Sequence, residues 1–131
     1  MAKTLHKAIA AADAAPAVGA YSQAVEVDES RRWLHISGQI GMAKDGSVPA
    51  DAESQCRLAW QNLLAQLRAA GMGPEHLVKV TSYLVDAAHL PHLRQARDAV
   101  LADALPASTA VIVAGLAHPS WLVEIEAVAA G

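Results

Sequence analysis

The segment "WLVEIEAVA", residues 121–129, carries the alternation of side chains that decides the fold. Successive side chains of a β-strand point to opposite faces of a sheet, so this segment has one apolar face and one mixed face. The apolar set is Val123, Ile125 and Ala127, and the mixed set is Leu122, Glu124, Glu126 and Val128. We predict that helices cover the apolar face and that the mixed face is open, as a partly buried subunit interface would be.

Two segments between the strands have the spacing of amphipathic helices. In residues 50–73 apolar side chains recur every three or four positions, Asp51 is placed to cap the first turn and Gly71 to end the last one. Cys56 falls on the apolar stripe, and we interpret it as a packing residue rather than a nucleophile. Residues 87–105 form the second predicted helix, with a proline in its first turn.

Alternating or branched apolar residues predict the remaining strands. Two lie within residues 23–38 and are joined by a polar turn, one lies at 76–86 and one at 108–115. The order is ββαβαββ, which indicates a single-domain α+β fold. Connections through a helix favour parallel pairs and short connections favour antiparallel pairs. We therefore predict one mixed sheet with both helices on a single face.

Composition indicates one domain over residues 1–131, in which residues 1–15 are a flexible or peripheral segment. The net charge is -3 and no lysine–arginine cluster is present, which argues against nucleic acid as a partner. No apolar run reaches the ~18 residues of a membrane span, so no membrane partner is expected. A single cysteine fits a reducing, cytoplasmic location. The alanine-rich core residues are small, which hints at additional burial against another subunit.

Two carboxylates are the first candidates for chemistry. Glu124 and Glu126 lie two positions apart on one strand face, and the rise of a strand separates them by roughly 7 Å. On a partly covered surface the two groups can differ in pKa, so that one of them handles a proton. A solvated or lysine-paired strand face is the alternative that spacing alone leaves open.

No metal or nucleotide cofactor is expected. His89 and His92 have i, i+3 spacing, but they flank Pro91 at a helix start, and no acid or cysteine follows at ligand spacing. We interpret the histidines as surface residues. The sequence has neither of the glycine-rich motifs that cradle the phosphates of nucleotides.

Two loop segments are weaker candidates for a binding site. Tyr21 follows Gly19 in the loop before the first strand, where a tyrosine can form the lip of a pocket. Ser37 and Gly38 end the second strand, and glycine there allows the backbone to approach a ligand closely. Ordinary packing is the alternative for each segment.

Several segments occur together in the order that is typical of one known family. They extend from Pro16 to the end of the chain and are "GAYSQAVEV", "ISGQIG", "LRAAGMG", "LVKVTSYLVD", "PAST" and "LVEIEAVA". The sequence resembles the Rid (YjgF) family of reactive-intermediate deaminases. This resemblance implies a chorismate-mutase-like fold assembled as a homotrimer with clefts between subunits. It also implies hydrolysis of enamines and imines, such as 2-aminoacrylate and 2-iminopropanoate, to a 2-keto acid and ammonia without a cofactor.

The resemblance implies roles for individual residues. Glu124 matches the glutamate that positions or activates water, and Tyr21 matches the tyrosine at the lip of the pocket. Ser37 and Gly38 match a segment that lines the cleft.

One position departs from the family pattern. Typical members have an arginine after Pro-Ala that binds the substrate carboxylate through two hydrogen bonds, and this chain has Ser108 there. Ala110 stands where cysteine is common. We expect an altered substrate range, because a hydroxyl does not replace the lost charge. Arg94 matches a pocket-facing position and is a candidate to supply the missing guanidinium, whereas pairing with Asp98 is the alternative for it.

Two functions of different classes follow from the sequence. One is a hydrolase or deaminase-like enzyme that acts on a small enamine, imine or related C–N metabolite. The other is a non-catalytic trimer that binds small metabolites in its clefts. The presence of Glu124 favours the enzyme, and the loss of the arginine at position 108 favours binding or altered chemistry. No sequence feature supports a purely structural role.

Overall fold

A computed structural model describes residues 5–29 and 32–131. Six strands and two α-helices follow one another in this part of the chain. They are β1 (Lys7–Ile9), β2 (Ala24–Glu26), β3 (Trp33–Ile40), α1 (Ala52–Ala69), β4 (Leu77–Leu84), α2 (Leu90–Leu101), β5 (Ala107–Ile112) and β6 (Val123–Ala130). One turn of 3-10 helix precedes β4 and another precedes α2.

Four strands form the main sheet in the order β3-β6-β4-β5. β6 is antiparallel to both of its neighbours, and β5 is parallel to β4. The predicted mixed sheet is confirmed. Trp60 and Leu63 of α1 share a buried core with Leu93 of α2 and with Ile125 of β6, so both helices cover the same face, as predicted.

The alternation in β6 has the predicted consequence. Val123, Ile125 and Ala127 are buried beneath the helices, whereas Glu124 is half-buried and Glu126 is exposed on the opposite face. The sheet therefore has one face that the helices cover and one face that is open.

Two predicted strand pairings are wrong. β2 pairs with β1 rather than with β3, and these two short strands form a separate sheet. β5 and β6 are separated by β4 because the connection between them crosses the end of β4 instead of making a tight hairpin. The amide of Val113 donates to Leu84 O over 2.8 Å, and the amide of Val85 donates to Leu122 O over 3.3 Å. The two ends of the connection thus pair with backbone groups at the end of β4 and directly after it.

The signals at the ends of α1 act as predicted. The carboxylate of Asp51 accepts a hydrogen bond of 2.8 Å from the amide of Ser54. Gly71 has φ +71° just after the helix, and its amide donates to Arg68 O over 2.9 Å. The amide of Met72 donates to Leu67 O over 2.8 Å, which completes a Schellman motif.

The segment before β2 is tied to the edge of the main sheet. Ser22 forms a parallel bridge with Ala107, its amide donates to Pro106 O over 3.1 Å and its hydroxyl donates to Leu105 O. These bonds hold the preceding loop beside the start of β5. Strand β1, further upstream, is exposed. That residues 1–15 are flexible or peripheral stays a prediction.

In the ranges 5–29 and 32–131, neither helix is both long and apolar enough to cross a bilayer.

Candidate functional site

The start of β5 lines a cleft on the helix-covered side of the sheet, and several predicted site residues lie in this cleft. Ser108 is in register with Val80, and Ala110 is in register with Ser82. Paired residues share a face, and both residues of β4 are buried under the helices. Ser108 and Ala110 therefore face the helices and line a cavity of about 460 Å³ that opens beside α2.

A short turn before β2 forms one wall of this cavity. Gly19 and Tyr21 line it, and the turn is closed by a hydrogen bond of 3.0 Å from the amide of Tyr21 to Gly19 O. The amide of Val18 donates to the Tyr21 hydroxyl over 3.3 Å. The phenol thus folds back onto its own loop beside the cavity, and its role as the lip of a substrate pocket stays a prediction.

Helix α2 brings guanidinium groups to the same cavity. Arg94 lines it, together with Arg97 and Asp98. Asp98 accepts a hydrogen bond of 3.0 Å from Nε of Arg97, not from Arg94. The alternative prediction of an Arg94–Asp98 pair is therefore wrong. Within the described residues the guanidinium of Arg94 makes no ion pair with a carboxylate.

The inner wall of the cavity is formed by residues that the sequence pattern did not indicate as site residues. Trp60 of α1 and Ser82 of β4 both line it, and their exposed fractions are only 1% and 3%. Trp60 lies on the apolar stripe of α1, which predicts packing alone. An alternating polar residue at the buried face of β4 was the one available signal for Ser82.

Glu124 lies on the opposite face of the sheet, beside β3. A β-bulge interrupts the β3–β6 pairing between Ile36 and Gln39, and Ser37 and Gly38 are exposed within it. A Cβ atom at position 38 would lie 2.6 Å from Cδ of Glu124. Glycine at position 38 thus makes room for the carboxylate, which explains why these two predicted residues are adjacent.

The two glutamates of β6 have different surroundings. Glu126 accepts a hydrogen bond from the hydroxyl of Tyr83 on β4. That bond, then burial and the charges of Glu126 and Glu124, raise the pKa of Tyr83 above its ordinary value of 10.0. Glu124 has neither a hydrogen-bond partner nor an ion-pair partner among residues 5–29 and 32–131. Neither glutamate forms an ion pair with a lysine among the described residues; Nζ of Lys79 on β4 donates instead to Oγ1 of Thr109 over 2.6 Å.

One chain does not bring all predicted site residues together. Tyr21, Arg94, Ser108 and Ala110 line the cavity on the helix side. Ser37 and Gly38 lie with Glu124 on the open side, and the thickness of the sheet separates the two groups.

Other candidates of the sequence analysis contribute no site. No group of three or more metal-ligating side chains occurs where the structure is described. Cys56 is fully buried and burial raises the pKa of its thiol to about 11, which confirms that it packs in the core. His89 and His92 are half-buried rather than fully exposed, so their prediction as surface residues is only partly right.

Comparison with known proteins places the chain in a family. The family model described as Endoribonuclease L-PSP matches residues 11–131. A mouse protein, "2-iminobutanoate/2-iminopropanoate deaminase", is 36% identical over 131 residues, which are 98% of this chain and 94% of that protein. A protein of unknown function from Yersinia pestis, YyfB of the Rid family, has a similar crystal structure. Its TM-score is 0.85 at 31% identity, over 95% of this chain and 98% of that one.

RidA from the Antarctic bacterium Psychrobacter sp. superimposes with a TM-score of 0.72 at 32% identity, over 95% of this chain and 98% of that one. The sequence match and the shared fold agree over nearly the whole chain. This chain therefore belongs to the Endoribonuclease L-PSP family, which is the Rid (YjgF) family that its sequence motifs predict.

Proposed function

We propose that this protein is a cofactor-independent hydrolase of reactive enamines or imines that works in clefts between the subunits of a cytoplasmic homotrimer. Glu124 assists the attack of water, and the substrate is held by Tyr21, Ser37, Gly38, Arg94, Ser108 and Ala110. The names of the relatives support the reaction class. The observation that carries the assignment of Glu124 is its half-buried carboxylate, which no other described residue engages by a hydrogen bond or an ion pair.

The proposed reaction needs one carboxylate and one water molecule. Glu124 takes a proton from water as the water oxygen adds to the carbon of the C=N bond, which gives a carbinolamine. The nitrogen takes that proton from Glu124, which completes the carbinolamine. The Glu124 carboxylate then moves the proton of the new hydroxyl group to the nitrogen as the C–N bond breaks, and ammonia leaves. The carbon keeps the oxygen as a carbonyl group, so an imine and water become a carbonyl compound and ammonia. Glu126 is less suited to this role because Tyr83 already donates to it.

Assembly between subunits is supported by the separation of the candidate residues in one chain. Among the described residues the one carboxylate that lines the cavity beside Ser108 is Asp98, which is already paired with Arg97, and none of the cavities described is lined by Glu124. A second copy that brings its open face to the cavity would join the two halves. Val111 and Ile112 at the end of β5 are 38% and 48% exposed, and such apolar residues at a sheet edge fit a subunit contact.

The substrate range is part of this proposal. Ser108 offers a neutral hydroxyl where typical family members have a guanidinium, and charge-assisted hydrogen bonds are roughly twice as strong as neutral ones. Arg94 lines the same cavity and supplies a guanidinium from α2. We therefore expect weak turnover of small 2-imino acids and better turnover of substrates whose anionic group reaches Arg94.

The decisive experiment measures the loss of 2-aminoacrylate that a pyridoxal-phosphate-dependent dehydratase generates in situ. Glu124→Gln should lower the protein-dependent rate by about 100-fold, as expected for loss of a general base. Glu126→Gln is the matched control on the same strand face and should retain most of the rate. Ser108→Arg should raise kcat/KM for this small substrate, whereas Ser108→Gln, of similar length without the charge, should not.

Two results would contradict the proposal. Acceleration that is unchanged in Glu124→Gln removes Glu124 from the mechanism. Decay that is unaffected by wild-type protein, for 2-aminoacrylate and for larger imines alike, favours the alternative function, a trimer that binds metabolites without turnover.

A further inference from the structure

Helix α2 places a second arginine deeper in the cavity than Arg94. Leu93 and Leu101 lie four residues before and after Arg97, and both are buried in the core. Residues four apart share one face of a helix, so Arg97 lies on the covered face of α2. Its side chain lines the cavity and is 16% exposed, whereas Arg94 is an exposed residue. The side chain of Arg97 is therefore directed into the cavity between α2 and the sheet, whose other wall contains Ser108.

Most hydrogen-bond donors of the Arg97 guanidinium are free. Asp98 accepts one bond of 3.0 Å from Nε, and the four N–H groups on the two Nη atoms donate to no residue in the ranges 5–29 and 32–131. In these ranges the inaccessible side-chain polar atoms without a partner are Nε1 of Trp60 and Nδ1 of His89 alone, so both Nη atoms of Arg97 remain accessible. Four accessible donors on a charged group that is only slightly exposed are well suited to bind an anion.

The charges along the cavity suit one anionic group. The charged side chains described on its lining are Arg94, Arg97 and Asp98, so two positive charges and one negative charge leave one positive charge for a ligand to neutralise. The two Nη atoms form the open end of a planar fork that matches the two oxygens of a carboxylate. Because Asp98 engages Nε alone, it can fix the plane of the guanidinium and still leave this end of the fork free.

We infer that Arg97 binds the substrate carboxylate through its two Nη atoms and that Asp98 is its positioning residue. Helix α2 thus supplies, from the wall opposite β5, the charge that Ser108 does not provide, and Arg94 assists from nearer the solvent. The ligand class is a monocarboxylate whose anionic group reaches the middle of α2. This inference rests on the proposed function insofar as both use the same cavity, but it concerns binding and requires no turnover.

The test compares two unreactive ligands that differ in charge. 2-Oxobutanoate carries a carboxylate, and 2-oxobutanamide carries a neutral amide in its place. NMR titration of the ¹⁵N-labelled protein gives both dissociation constants. Arg97→Gln should weaken the binding of 2-oxobutanoate by about 10- to 100-fold, as expected for hydrogen bonds to a charged group, and should leave the binding of 2-oxobutanamide unchanged. Arg57→Gln removes a charge from an exposed position of α1 outside this cavity and should change neither constant.

Two variants of Asp98 test its positioning role. Asp98→Asn and Asp98→Ala have the same charge, but only the asparagine keeps an oxygen that can accept from Nε of Arg97. Asp98→Ala should therefore bind 2-oxobutanoate about 3- to 10-fold more weakly than Asp98→Asn does, as expected for one net hydrogen bond. Equal affinities of the two variants would show that Asp98 does not orient the guanidinium.

Three results overturn the assignment of Arg97. Wild-type protein that binds the acid no more tightly than the amide has no carboxylate site in this cavity. Equal losses for both ligands in Arg97→Gln mean that the substitution only disturbs packing. A large loss in Arg94→Gln with none in Arg97→Gln assigns the carboxylate to Arg94. None of these measurements depends on the Glu124→Gln assay, so the binding site and the hydrolase proposal fail separately.

Discussion

At the scale of single residues, Gly38 couples β3 to the candidate catalytic group. A Cβ atom at this position would lie 2.6 Å from Cδ and 2.8 Å from Cγ of Glu124. The carboxylate is the flexible end of a side chain, so Gly38→Ala should displace it without unfolding the protein. We expect the hydrolysis of 2-aminoacrylate to fall at least 10-fold, which a steady-state assay measures.

Gly115→Ala is the matched control for this substitution, because no atom lies within 4 Å of an added Cβ there. It should leave the rate unchanged. Full activity of Gly38→Ala would mean that the position of the Glu124 carboxylate does not limit the reaction.

The titration of the Tyr83 phenol reports on the open face of the sheet. Its hydrogen bond to Glu126 raises its pKa above 10.0, so the folded state holds the phenolic proton at a pH where the unfolded chain has lost it. This contribution to stability is complete below the unfolded pKa and is lost as the pH rises through the folded one. The protein has two tyrosines, so an absorbance titration of Tyr21→Phe follows Tyr83 alone. Its midpoint should lie above 10.0.

Glu126→Gln tests the cause of that shift. The neutral amide removes both the charge and the strongest acceptor, and the midpoint of Tyr83 should move back toward 10.0. A midpoint that does not respond would show that Glu126 is not the partner of Tyr83.

At the scale of elements, α1 ends where its sequence predicts because one residue supplies a left-handed backbone. Gly71 has φ +71°, and nothing within 4 Å would contact an added Cβ. Gly71→Ala therefore tests backbone strain alone, and we expect it to lower the free energy of unfolding by about 1–2 kcal/mol. Urea denaturation measures this change, and Gly115→Ala should stay within about 0.5 kcal/mol of wild type. Equal stability of both variants would contradict the prediction.

Among the elements, the bounds of α1 and the faces of β6 can be predicted from the sequence, whereas the order of the strands cannot. The bounds of α1 and the two faces of β6 follow from local periodicity and from caps within a few residues of each other. Local periodicity does not predict which strands lie next to β2 and β5, because strand order depends on hydrogen bonds between segments that are distant in the sequence. Ser22 bonding to the start of β5 is one such bond, and Val113 bonding to the end of β4 is another.

At the scale of the whole molecule, the separation of the site into two faces predicts complementation between subunits. Glu124→Gln removes the carboxylate that one subunit contributes to a shared cleft from its open sheet face. Ala110→Trp fills the cavity that the other subunit contributes to the same cleft. Each variant alone should be inactive. In a cyclic trimer assembled at random from equal amounts of both, about a quarter of the clefts combine two intact halves. Activity of the co-assembled mixture in the 2-aminoacrylate assay should recover to that extent.

The control mixes Glu124→Gln with a chain that carries both substitutions, in which no cleft has an intact Glu124. That mixture should stay inactive, and sedimentation should give a trimer for every sample. Elution and sedimentation of wild-type protein as a monomer would contradict the shared cleft, as would the absence of any recovery in co-assembled trimers.

The sequence by itself determined the α+β class, the ends of α1, the apolar face of β6 and the candidate residues Glu124, Tyr21 and Ser108, because each depends on spacing or motifs within a short segment. The second helix is predicted over residues 87–105 but is shorter, Leu90–Leu101. The tertiary structure alone decided that Trp60 and Ser82 line the same cavity as Ser108, and that Glu124 lies beyond the sheet from them. The physical reason is that a strand assigns each side chain to one of two faces, while long-range packing decides which distant residues meet on each face.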